Sequence, residues 1–144
     1  MADPKAYVMV DNFDVDNVFD KAYKTSSKLK KAMKTAAEKA IDSSPKLTTT
    51  APKPENKLPQ FYVSGTLSKL TQEDGGKHGR LRAKVEMVLG TWPDKSILGR
   101  PHGGAPMDIS NPKKIDDDVE YLAAFVVKDL IVKQVIDAMV KKLP

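Results

Sequence analysis

The sequence predicts a two-layer α+β fold: a small antiparallel or mixed sheet with two long helices on one face, in the order β-α-β-β-β-α. Three observations predict it. An apolar period of three and four residues runs through the N-terminal third, two segments alternate strictly in the middle, and an apolar-rich helix closes the chain.

Tyr7-Val8-Met9-Val10 has the character of a short strand. From Asp14 to Asp42, Val15, Val18, Phe19, Ala22, Leu29, Met33, Ala36, Ala37 and Ala40 recur on one helical face. Asp14 or Asp16 is the expected N-cap, because a carboxylate accepts from the free N–H groups of a first turn. Ser43-Ser44-Pro45 ends the helix, since proline disfavours helical geometry at the residue before it. Residues 43–60 read as an extended Pro/Thr-rich connector, either mobile or laid along another surface.

Two strands follow. Phe61, Val63, Gly65 and Leu67 alternate with Tyr62, Ser64, Thr66 and Ser68, and Leu81, Ala83, Val85, Met87 and Leu89 alternate with mostly charged residues. A period of two with one polar side means an antiparallel pair with a wet outer face. Gln72 to Lys77 supplies the turn between them, and Trp92-Pro93-Asp94-Lys95 a second one. Around Gly99-Arg100-Pro101-His102-Gly103-Gly104-Ala105-Pro106, two short strand pieces are expected to flank a turn whose glycines take positive φ.

Asp116 to Leu143 reads as one helix that is apolar on two sides. Wound at about 100° per residue, Tyr121, Phe125, Val132, Ile136, Met139 and Leu143 form a full-length stripe expected to face the sheet. Val119, Leu122, Ala123, Val126 and Leu130 form a second, half-length stripe that ends at Lys133. The first helix could cover that patch inside the domain; otherwise it is a subunit contact that Leu122→Asp or Val126→Asp would break. It is the expected protein interface.

The chain has 144 residues and no cysteine, which gives one domain over residues 1–144 and excludes disulfides, thiolate metal sites and cysteine nucleophiles. No apolar run is long enough for a membrane span, and Met1-Ala2-Asp3-Pro4-Lys5 is unlike a secretory signal, so a cytoplasmic location, or incorporation in a particle, is expected. The net charge is +5, and residues 111–144 are neutral, so the excess lies in the first three quarters of the chain. Lys21, Lys24, Lys28 and Lys31, with Lys39 returning to the same line, oppose the apolar stripe of the first helix. They are the candidate contacts for a nucleic acid or other polyanion, although the base-reading and stacking residues of a specific binder do not accompany them.

Arg100 and His102 are the polar groups of a candidate partner loop, which matches neither the phosphate-binding nor the esterase pattern because the residues those patterns require are missing. His78 and His102, the two histidines, have no companion ligands at zinc spacing, and Asp11 to Asp16 lacks the glycine and glutamate of a calcium loop. No catalytic residue, cofactor or metal is therefore expected. The sequence points to a non-enzymatic structural or interaction subunit of a larger assembly, such as a virion or tail-like particle, with protein partners or further copies of itself. A polyanion-binding module is the alternative.

Overall fold

A computed structural model describes residues 4–15, 26–50 and 57–143. Strand β1 (Ala6–Val15) is followed by helix α1 (Ser26–Asp42), a two-residue strand β2 (Leu47–Thr48), the long strands β3 (Gln60–Glu73) and β4 (Arg80–Thr91), and the short strands β5 (Ile97–Gly99) and β6 (His102–Asp108). A single 3₁₀ turn (Pro112–Lys114) leads into α2 (Ile115–Leu130), a π turn (Ile131–Val135) and a last turn of helix, α3 (Ile136–Val140).

The fold is α+β, and the sheet is mixed. Its order is β2-β1-β3-β4-β5, with β6 also paired to β4. β1 runs parallel to β2 and β3, whereas β4 is antiparallel to β3, β5 and β6. The expected element order therefore gains β2, and the two short strand pieces expected around the Gly/Pro loop are β5 and a longer β6. α1 packs on β1, α2 packs on β4 and β6, and the helices touch one another, so they form one layer. Between the layers a continuous apolar cluster joins Val8, Val10, Leu29, Met33, Val63, Leu67, Val85, Leu122 and Met139. The outer sheet face carries Ser64, Thr66, Arg82, Lys84 and Glu86, as the alternation predicts.

One local expectation is corrected. β1 extends to Val15, so Asp14 is a strand residue and no helix cap; its carboxylate lies 3.9 Å from the Lys30 ammonium. One extra residue bulges from β1 between Val10 and Phe13, so Val8 and Val10 share the core face with Phe13 and Val15. Asp16, Val18, Phe19, Ala22, Lys21 and Lys24 lie outside the described residues.

The connector is tied down where it can be described. Leu47 is buried, Lys46 O accepts from Ala6 N at 3.1 Å, and Asp42 accepts from Thr49 N at 2.8 Å and Thr49 Oγ1 at 2.7 Å. These bonds give the polar segment the backbone partners that a sheet edge demands.

The Gly/Pro loop is largely strand. Gly103 and Gly104 lie on β6 opposite Val85 and Lys84, and positive φ among the glycines falls instead at Gly75, Gly76 and Gly79, in the β3–β4 turn. Their small size serves packing. A Cβ at Gly103 would stand 3.0 Å from Leu130 Cδ2 of α2, and one at Gly104 would collide with the Ala83 carbonyl oxygen. The β4–β5 turn is fixed by Asp94, which accepts from Thr91 Oγ1 at 2.6 Å and Ser96 Oγ at 2.9 Å. The Thr91 hydroxyl, then that of Ser96, holds its carboxyl below the usual carboxylate range.

Candidate functional site

The last helix is wound the other way round from the expectation. Val119, Leu122, Ala123, Val126 and Leu130 are buried against the sheet and α1, with Leu122 only 1% exposed. They are core, already covered within one chain, and are not available to a partner. Tyr121 is 67% exposed, and Phe125 and Val132 are each 48% exposed. The buried line continues through Val127, Ile131, Val135 and Met139, in steps of four. A regular α-helix would carry such a line progressively off one face. The π turn at Ile131–Val135 takes up one extra residue and returns Val135 and Met139 to the core.

This winding creates a feature on the outer surface of the helical layer. α1 turns Leu29, Met33, Ala37 and Ile41 inward and leaves Lys28, Lys31, Thr35 and Lys39 exposed. Along the seam between α1 and α2 the side chains are small: Ala32, Ala36 and Ala124 are half-buried, and Ala40 is buried. The short side chains leave a groove of about 850 Å³. Alanines form its floor, and Tyr121 and Phe125 stand along the α2 side. Thr35, Ser43, four lysines (Lys28, Lys31, Lys39 and Lys128) and a single acid, Glu120, complete its lining.

Lys28, Lys31 and Lys39, the described members of the candidate polyanion face, are therefore exposed beside an apolar trough rather than on a uniformly charged surface. Alanine at positions 32, 36 and 40 is the available signal for the trough, since small residues on a helix mark close approach; the helical period assigns Ala36 and Ala40 to the core stripe and leaves Ala32 out of it.

Arg100 and His102 occupy a different place. They border a polar hollow of about 600 Å³ on the open sheet face, with Asp11, Asp14, Ser64, Thr66 and Glu86. His102 opens β6 opposite Glu86, and Arg100 lies in the break between β5 and β6, where Met87 N donates to Pro101 O at 2.8 Å. The loop does not join the α1–α2 groove.

Asp118 is the buried charged side chain among the described residues. Its carboxylate accepts from Ser110 N at 2.9 Å and Ser110 Oγ at 2.8 Å, so it fastens the segment after β6 to the first turn of α2. The same described residues contain no group of three His, Asp or Glu side chains able to hold a metal, and no helix long and apolar enough to cross a membrane.

No family model and no curated protein matches the sequence. Solved structures match in fold. The Xanthomonas campestris protein XCC0632, of family DUF330, superposes with a TM-score of 0.61 at 9% identity, over 96% of this chain and 89% of that one. PelC from Paraburkholderia phytofirmans, a dodecamer, gives 0.55 at 8% identity over 92% and 89%. A putative lipoprotein from Caulobacter crescentus gives 0.54 at 9% over 97% and 93%. At these identities the likeness is one of fold.

Proposed function

We propose that this chain is a non-enzymatic structural subunit of a larger protein assembly and that the groove between α1 and α2 is where it meets its partner. The carrying observation is the exposure of Tyr121 and Phe125 beside an alanine floor. Aromatic side chains bury much apolar area with few rotors, and contiguous apolar surface of this kind is characteristic of contact sites. A virion or tail-like particle is one form such an assembly would take. PelC shares the fold and forms a dodecamer, which supports a role in assembly without indicating the contact surface. The cytoplasmic location expected from the sequence belongs to the same proposal, and recovery of the native chain in a cell-envelope fraction would remove it.

The test is the size of the native species. In extracts of cells that make the protein naturally, at high salt, the chain should elute well above its own 15.8 kDa, and Phe125→Asp should shift it towards the monomer. Elution as a monomer, with DNA or RNA binding that falls steeply with salt, would replace this reading with polyanion binding through Lys28 and Lys31.

A further inference from the structure

We infer that the α1–α2 groove receives an acidic amphipathic helix supplied by a different protein; this rests on the groove being the contact site proposed above. Charge decides the partner. Four lysines, Lys28, Lys31, Lys39 and Lys128, line the groove against one acid, Glu120. A second copy presenting the same face would set lysines against lysines, and like charges brought together at a contact are costly. A helix with Glu or Asp on both flanks of an apolar stripe would pair with the lysines while its apolar side chains fill the trough.

Shape decides that the occupant is a helix. The floor is made of Ala32, Ala36 and Ala124, which let a third helix approach α1 and α2 at close-packed distance. From Lys28 to Ser43 the α1 side of the groove runs about 22 Å at ~1.5 Å per residue, the length of roughly four helical turns. A lipid surface fits less well, because apolar groups must project beyond the basic ones to enter a bilayer, and here most of the apolar lining is recessed.

Two 18-residue synthetic peptides provide the probe. Both carry leucine at helical spacing; one has glutamate on its flanks and its twin has lysine. By fluorescence anisotropy the full chain should bind the glutamate peptide at least tenfold more tightly than the twin. Lys31→Glu with Lys39→Glu should invert the preference, and Phe125→Ala should weaken binding of the glutamate peptide. Equal affinity for the twins, or binding of neither, overturns the inference. So does tighter binding to vesicles containing phosphatidylglycerol, or to a single-stranded oligonucleotide, that the glutamate peptide cannot displace. If the peptides fail while the native chain still elutes as a large species dispersed by Phe125→Asp, the acidic helix is wrong and the assembly reading stands. If the native chain is monomeric as well, both fall.

Discussion

Leu122 and Phe125 are three residues apart on α2, and truncating each to alanine separates the two windings of the helix. Leu122 is 1% exposed and sits in the apolar cluster between α2, α1 and the sheet. Removing a fully buried leucine side chain costs its transfer free energy and leaves a cavity, about 3 kcal/mol together. Phe125 is 48% exposed, so about half of its hydrophobic stabilisation is already forgone, and Phe125→Ala should cost about 1 kcal/mol. For a domain of this size, roughly 3 °C of melting temperature accompanies each kcal/mol, so Leu122→Ala should melt about 9 °C below the parent and Phe125→Ala about 3 °C below. Urea unfolding followed by circular dichroism, with parent and variants sharing one m-value, provides the free energies. The reverse ranking, with Phe125→Ala the costlier change and Leu122→Ala near neutral, would refute the packing and return Tyr121 and Phe125 to the sheet side. Leu122→Asp follows from the same reasoning: it should unfold the chain rather than release a folded monomer.

Two further predictions concern the same helix. Deleting Lys133, an exposed residue of the π turn, should leave regular α-helix with Val135 and Met139 still in the core, at a cost within about 1 kcal/mol including its ion pair to Asp129. Deleting Ala124, in regular helix, should cost several times more, and equal urea midpoints for the two deletions would refute the account of the turn. Asp118→Ala removes the acceptor for Ser110 N and Oγ and should cost about 2 kcal/mol, read as a fall of about 6 °C in melting temperature; a change below 1 °C would show that the link is not formed.

What was legible in the sequence, and what was hidden, divides along one physical line: whether the period is unbroken. β4 keeps its alternation because one face of the sheet is wet, and β3 keeps it from Val63 to Leu67, ahead of its own bulge at Ser68, so both are readable to within a few residues. β1 also alternates, but its bulge moves the apolar set from Val8 and Val10 to Phe13 and Val15, so its second half looked like the start of a helix, with Asp14 as a cap. The last helix fails in the same way. Beyond Ile131 one additional residue is absorbed by the π turn, so the later buried positions fall about 100° out of phase with the earlier ones on a regular wheel. Projected without that skip, Met139 aligns with Tyr121 and Phe125, and the longest stripe falls on the sheet side. Counted with it, Val135 and Met139 rejoin the buried line of Ala123, Val127 and Ile131, and Tyr121 and Phe125 are left facing out. The misplaced interface and the exposed aromatic side of the groove thus have one origin. A single residue of helical phase exchanges core and surface on α2, and it is the surface version that puts two aromatic side chains beside the lysines of α1.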